Sequence, residues 1–187
     1  MMHPDDMTKD IETVLVPEEK LREQIHEMGA RMTKEYAGKL PLFVGILKGC
    51  VPFFTAMTQE IQIPSQWDFI SISSYDGTAS TGRMTFRKDI DHDIRGRHVI
   101  ILEDIIDSGA TLRYLKELLL KRKPASLKIC TLLDKPAGRT VELEADYSCF
   151  TIPNAFVVGF GLDYRDCYRN LPFVGVLKPS VYADEAS

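Results

Sequence analysis

Apolar positions along this chain follow two periods that take turns. After Pro17, the residues Leu21, Ile25, Met28, Met32 and Tyr36 recur at helical spacing, which predicts an amphipathic helix ending near Gly38. Pro17 suits a first helical position, and Glu18 and Glu19 suit the positive end of the helix dipole. Residues 42–47 are an unbroken apolar run, the pattern of a buried strand; Lys48-Gly49 interrupts it, and Val51-Pro52 opens a second helix reaching about Ile61. Residues 67–73 alternate in part and predict another strand. The polar, glycine-bearing stretch 74–82 has no period and is long for a connection in a compact domain, which fits a lid or a tolerated surface loop. Residues 84–86 read as a short strand pairing with 67–73, and 91–97 as a charged turn.

A third apolar run, beginning at His98, stops at Glu103-Asp104, passes Ile105 and Ile106, and reaches Asp107-Ser108-Gly109-Ala110-Thr111, where the helical period resumes. Leu112, Leu115, Leu118 and Leu119 predict the inward face of a helix to about Lys123; Lys121-Arg122-Lys123 complements its C-terminal dipole and Pro124 stops it. Residues 127–133, 155–160 and 173–177 read as further strands before a frayed tail. Apolar strands alternating with helices predict an α/β fold, a twisted, mainly parallel sheet wound with helices on both faces. Polar groups collect after strand ends: Lys48 after one, residues 103–111 after another, Lys135 after a third, Asp163 after a fourth. In open parallel sheets ligands bind beyond the carboxyl ends of the strands, so these four ends point to one crevice.

Length and charge narrow the class. A chain of 187 residues fits a single domain, since compact domains commonly run to ~100–200 residues. A net charge of −4 without any long Lys/Arg run argues against a dedicated nucleic-acid or anionic-membrane surface. The four cysteines, Cys50, Cys130, Cys149 and Cys167, show no Cys-x-x-Cys pair and no zinc-type spacing, which fits free thiols. Residues 1–16 carry Asp5, Asp6, Asp10 and Glu12 rather than a basic start and an apolar run, so no signal peptide is expected. No apolar stretch approaches the ~20 residues a bilayer requires, and the expected location is the cytoplasm.

The stretch 97–112 concentrates the chemistry. Without any Gly-x-x-x-x-Gly-Lys-Ser/Thr, Glu103-Asp104 is a poor Walker-B pair, and Gly159-Phe160-Gly161 lacks the third glycine and following helix of a dinucleotide site. A lone acidic pair at a strand end is more often a solvated terminus. Here a further carboxylate follows, then small and hydroxylated residues whose N–H groups and hydroxyls can ring a phosphate at a helix N-terminus. A phosphorylated, polyhydroxylated ligand fits that combination.

Glu103-Asp104-Ile105-Ile106-Asp107-Ser108-Gly109-Ala110-Thr111 resembles the 5-phosphoribosyl-1-diphosphate binding signature of the type I phosphoribosyltransferases. Leu47-Lys48-Gly49, Ser73-Ser74-Tyr75, Leu133-Asp134-Lys135-Pro136, and Phe156-Val157-Val158-Gly159 with Leu162-Asp163-Tyr164 resemble the hypoxanthine-guanine phosphoribosyltransferases of bacterial type. The similarity runs from about Val14 to Tyr182. Departures are Asp76 in place of a glycine after Tyr75, Asn154 in place of an aspartate, and Arg165 in place of an asparagine.

The resemblance implies the type I phosphoribosyltransferase fold with a small hood built from the N-terminal segment and residues from about 153 onward. It implies transfer of the 5-phosphoribosyl group to hypoxanthine or guanine, with Mg²⁺ as cofactor and a homodimer or homotetramer as assembly. Glu103 and Asp104 would hold the ribose hydroxyls, and Ile106 would lead into a loop, Asp107, Ser108, Gly109, Ala110 and Thr111, that binds the 5-phosphate. Asp107 would also be the general base at purine N7, although taken alone it could be a helix cap. Lys135 would donate to the purine O6, Phe156 would stack on the base, and Val157 would contact its edge through the backbone; taken alone, Lys135 reads as a surface charge and Phe156 as core. Asp163, with Glu103 and Asp104, would reach Mg²⁺, and Arg169 the pyrophosphate. Leu47, Lys48 and Gly49 would form the pyrophosphate loop, which in the family often has a cis peptide before the lysine. Ser74 and Tyr75 would belong to the lid. Two rival readings are a xanthine-preferring sister enzyme and a nucleotide-binding regulatory protein of the same fold.

Overall fold

The computed structural model describes residues 4–74 and 84–183. Along the chain follow α1 (Pro4–Lys9), β1 (Ile11–Val16), α2 (Glu18–Glu35), β2 (Leu42–Ile46), α3 (Val51–Gln59), β3 (Gln66–Ser74), β4 (Met84–Lys88) and β5 (His98–Ile106). Then come α4 (Ala110–Leu120), β6 (Ser126–Asp134), a 3₁₀ turn at Pro136–Gly138, β7 (Tyr147–Thr151), β8 (Val157–Val158), β9 (Val174–Leu177) and α5 (Pro179–Tyr182).

Six strands form the main sheet in the order β4-β3-β2-β5-β6-β7, all parallel except β4, which runs antiparallel to β3. β5 lies in the middle, and its alternate side chains feed two cores. Ile100 and Leu102 enter the core beneath α2 and α3, while Val99 and Ile101 enter the core beneath α4. Burial on both faces is why this strand reads as a continuous apolar run rather than an alternation. Each such side chain contributes roughly 1.5–3 kcal/mol through removal from water.

The helices follow the same logic. Leu21, Ile25, Met28 and Met32 of α2 are buried, while Glu18–Arg22 and Arg31–Glu35 pairs lace its outer face. Exposed pairs at that spacing are worth only ~0.3–0.5 kcal/mol each, so packing holds the helix. Pro17 sits one place earlier than expected, as the N-cap. α4 buries Leu112, Leu115 and Leu119 and ends at Leu120 rather than Lys123, and Leu118 is only partly buried.

Three departures from the pattern bear on the site. The carboxylates Glu103 and Asp104 do not follow the strand; they lie within it, because β5 keeps pairing with β6 as far as Ile106↔Asp134. The strand expected over 155–160 is only Val157–Val158, since Gly159, Phe160 and Gly161 take φ of +96°, +47° and +103° and turn the chain. β8 and β9 are not part of the parallel sheet either. They join β1 in a separate antiparallel sheet, β1-β9-β8, so Asp163 approaches from that small sheet rather than from the carboxyl end of a parallel strand.

Candidate active site

Leaving the sheet at Ile106, the chain needs only Asp107, Ser108 and Gly109 to reach α4, whose N-cap Gly109 has φ +80°. Asp104, inside β5 near its carboxyl end, is buried; its Oδ1 accepts the Ile105 N–H at 2.7 Å. Gly49 presses against the same carboxyl so closely that a Cβ there would fall 1.8 Å from Oδ2. Burial pushes the Asp104 carboxyl up to about 6, partly offset by the Ile105 N–H and by Arg169 nearby. Glu103 is half-buried, but its Oε2 is enclosed with no hydrogen-bond partner. That enclosure, and then the neighbouring Asp104, push its carboxyl well above the usual range. An unpartnered buried polar atom costs about 1–3 kcal/mol, a cost the fold does not require and a ligand could offset.

Two small cavities flank this strand end. One, of about 170 Å³, is lined by Glu103, Ile105, Ile106, Asp107, Ser108, Gly109, Thr111 and Leu112. The other, of about 160 Å³, is lined by Ile105, Asp107, Lys135, Ala155, Phe156, Val157 and Leu162. Ile105 and Asp107 form the wall they share. Across that wall the buried Lys135, at the end of β6, pairs with Asp107 at 2.5 Å, and its N–H donates to the Ile106 carbonyl at 3.0 Å. Phe156 is not core: it is 41% exposed, stacked on Tyr182 with centroids 4.9 Å apart and edge-on to Tyr164. Val157 is buried in β8, paired with Val176.

A third group of side chains is built from the loop after β2 and the loop between β8 and β9. The Leu47–Lys48 peptide is cis, and Lys48 pairs with Asp166 at 3.1 Å. Arg169 pairs with Asp163 at 2.7 Å and Asp166 at 3.1 Å, and donates to the Gly161 carbonyl at 2.7 Å. Hydrogen bonds from Arg169 and Lys48 draw the Asp166 carboxyl below the usual range. Asp166 was not singled out from the sequence; its only signal is the spacing Asp163-x-x-Asp166-x-x-Arg169. Arg139, also missed, reaches the backbone of the Asp107 loop from beyond the 3₁₀ turn.

Eighteen residues were expected at the site, and the described ones other than Ser74 lie in or directly beside these three groups. Ser74 closes β3, while Tyr75 and the rest of the lid reading, residues 76–82, lie outside the described residues. A larger groove, of about 610 Å³ between α2, α3 and the 160–172 loop, shares only Arg169 with these groups.

Among the described residues no three His, Cys, Asp or Glu side chains converge into a protein-only metal cage. The oxygen donors at the strand end still fit Mg²⁺, which takes few protein carboxylates and completes its shell with phosphate and water. The unpartnered Glu103 oxygen is one acceptor that a cation or a hydroxyl would satisfy.

A family model described as phosphoribosyl transferase domain matches residues 17–165. A hypoxanthine-guanine phosphoribosyltransferase of Streptococcus pneumoniae is 52% identical over 179 residues, which cover 95% of this chain and 99% of that protein. One from Lactococcus lactis is 55% identical over 177 residues, covering 94% and 96%. A solved hypoxanthine phosphoribosyltransferase of Staphylococcus aureus matches with a TM-score of 0.90 at 47% identity, over 94% of this chain and 96% of that one. On this sequence and structural likeness, the chain belongs to the phosphoribosyltransferase family, in its hypoxanthine-guanine branch.

Proposed function

We propose that this chain is a purine salvage enzyme that converts hypoxanthine or guanine and phosphoribosyl diphosphate into the nucleoside monophosphate and pyrophosphate. The observation that carries the reading is the Lys135–Asp107 pair on the wall between the two cavities. A 6-oxopurine presents an acceptor, O6, beside a donor, N7–H, on one edge. An ammonium next to a carboxylate offers the complementary donor and acceptor in the same order. Adenine would turn a 6-amino donor toward the buried ammonium and leave both unpaired.

In this reading the base lies in the cavity of Lys135, Phe156 and Val157, and the 5-phosphate lies in that of Asp107 to Thr111. Glu103 and Asp104 accept from the ribose hydroxyls, which gives the enclosed Glu103 oxygen its partner. Lys48, from the Leu47-Lys48-Gly49 loop, and Arg169 bind pyrophosphate, exchanging Asp166 and Asp163 for it. As the purine nitrogen bonds to C1 of the ribose, the C1–O bond breaks and pyrophosphate leaves with the electron pair. The N7 proton passes to Asp107, whose charge also offsets the positive charge that develops on the sugar. Mg²⁺, when bound through Glu103, Asp104 and Asp163, would supply neutralising charge for the diphosphate. Ser74 and Tyr75 are proposed to belong to the lid, and the small sheet with its loops to be the hood. A cytoplasmic homodimer or homotetramer is the proposed state; among the described residues no helix is long and apolar enough to cross a membrane.

A steady-state assay with Mg²⁺ and phosphoribosyl diphosphate against hypoxanthine, guanine, xanthine and adenine tests this reading. Hypoxanthine or guanine should be turned over, with adenine disfavoured on the order of 10⁴-fold, the discrimination reached when a wrong ligand strands buried polar groups. Preference for adenine would overturn the pocket assignment, and preference for xanthine would move the chain to the sister activity. Tight nucleotide binding without turnover of any base would favour a regulatory protein.

A further inference from the structure

Arg139 follows the 3₁₀ turn by one residue and turns its side chain back beneath the loop that joins β5 to α4. Nη1 donates to the carbonyls of Ile106 at 2.9 Å and Asp107 at 2.6 Å. Nε donates to the Leu143 carbonyl at 3.1 Å, and Nη2 donates to the Asp134 carboxylate. Thr140 continues the pattern, giving its N–H to the Ser108 carbonyl at 3.0 Å and its hydroxyl to the same oxygen at 3.3 Å.

Three successive carbonyls, those of residues 106, 107 and 108, are therefore drawn to one side. The peptides that follow them are trans, since the one cis bond among the described residues is Leu47–Lys48. A trans peptide is planar, with its N–H directed opposite to its C=O. Fixing those carbonyls thus turns the N–H groups of Asp107, Ser108 and Gly109 the other way. Those three residues line the cavity of about 170 Å³, and Arg139 does not. The guanidinium lies on the far side of the loop, with Asp134 as its counter-charge. It has four acceptors within the protein and is not itself offered to a ligand.

We infer that Arg139 is a positioning residue for phosphate: by holding the carbonyls of residues 106 and 107 it aims the amides of Asp107 and Ser108 into the cavity, beside that of Gly109, which Thr140 sets through the carbonyl of residue 108. This deepens the proposed function, since it rests on the loop being the 5-phosphate site. An ordinary strut would stabilise the loop without favouring one ligand group over another, and the two differ in a measurable way.

Binding of inosine 5′-monophosphate and of inosine is compared by calorimetry in the wild type, in Arg139→Lys, and in Arg139→Met combined with Asp134→Asn, with melting temperatures alongside. The lysine keeps the charge and loses the fork, whereas the double variant leaves no stranded carboxylate. Both variants should melt cooperatively and bind the nucleotide roughly ten- to a hundredfold more weakly, as expected when several aligned donors are lost, with inosine binding unchanged. An unaltered affinity ratio between nucleotide and nucleoside, equal weakening of both ligands, or loss of cooperative melting in both variants would overturn the inference. A wild type that binds the two ligands equally would instead overturn the phosphate reading of the loop, and this inference with it.

Discussion

Asp107 stands where three demands meet. It lines both small cavities, pairs with Lys135 at 2.5 Å, and gives its carbonyl to Arg139. Its side chain is half exposed but Lys135 is buried, so the pair is worth more than the ~0–1 kcal/mol of one open to water, and an asparagine in its place keeps an oxygen that accepts from the ammonium. Asp107→Asn should therefore fold normally, keep its shape and lose its ability to take a proton. We expect kcat to fall by ~10²–10⁴-fold, the usual size of a general acid-base contribution, with unfolding free energy lowered by no more than about 1–3 kcal/mol, the scale of weakening one partner of a buried polar group. Near-normal turnover would remove Asp107 from the chemistry, and a large loss of stability would make it a structural cap. At this scale Asp107 was legible because a carboxylate followed by Ser-Gly-Ala-Thr at a strand-to-helix join is an unusual local combination. Arg139 was not, because its meaning lies in backbone carbonyls about thirty residues away in the chain, with nothing in its own neighbourhood to mark it.

Among the elements, the hairpin of β3 and β4 is fastened by one buried carboxylate. The Asp68 side chain is 4% exposed and gathers the His92 ring at 2.8 Å, Lys88 at 3.1 Å, and the N–H groups of Phe69, Asp91 and His92. Burial alone would raise its pKa, but the bonds from His92, the Phe69 N–H and Lys88 together hold it well below the usual carboxylate range. A folded value depressed below the ordinary 3.8 means that the stabilisation is complete above that pH and is lost as pH falls toward the folded value. Asp68→Asn should cost on the order of 3 kcal/mol at pH 7, the scale for stranding one side of a buried ion pair. Urea unfolding of both proteins should show that gap narrowing below pH ~4, where the unfolded carboxylate protonates. A gap of equal size at pH 3 would rule out the charge as its source. Strand legibility follows the same burial logic: β2, β5 and β6 are covered on both faces and read as apolar runs. The edge strands β1 and β7, mostly exposed or half-buried, carry too little periodicity to be seen, whereas β8 was expected over 155–160 and is only two residues long.

Across the whole molecule, the candidate site gathers where loops from the two sheets approach each other backbone to backbone. β1 and β9 lie some 160 residues apart in the chain, so no local pattern could reveal that their sheet delivers Asp163 and Arg169 to a crevice made by the other. Gly161 is a point of tight approach. Its φ is +103°, its N–H donates to the Arg169 carbonyl at 2.9 Å, and its own carbonyl accepts Arg169 Nη1 at 2.7 Å. A Cβ on it would fall 2.0 Å from the Gly49 carbonyl oxygen and 3.0 Å from Pro52 Cδ, which leaves no room short of separating the loop after β2 from the loop after β8. Gly161→Ala adds backbone strain of roughly 1–2 kcal/mol and displaces Lys48 relative to Arg169. If those two cations hold pyrophosphate, a displacement of about 1 Å should lower kcat/KM for phosphoribosyl diphosphate by roughly 10²-fold and weaken product inhibition by pyrophosphate to a similar degree. Affinity for inosine 5′-monophosphate, which meets the two cavities and the carboxylates of Glu103 and Asp104 but neither Lys48 nor Arg169, should fall far less than that for pyrophosphate. Equal weakening of nucleotide and pyrophosphate would show that the contact merely holds the fold together, and unchanged pyrophosphate inhibition in a folded variant would separate Lys48 and Arg169 from that ligand.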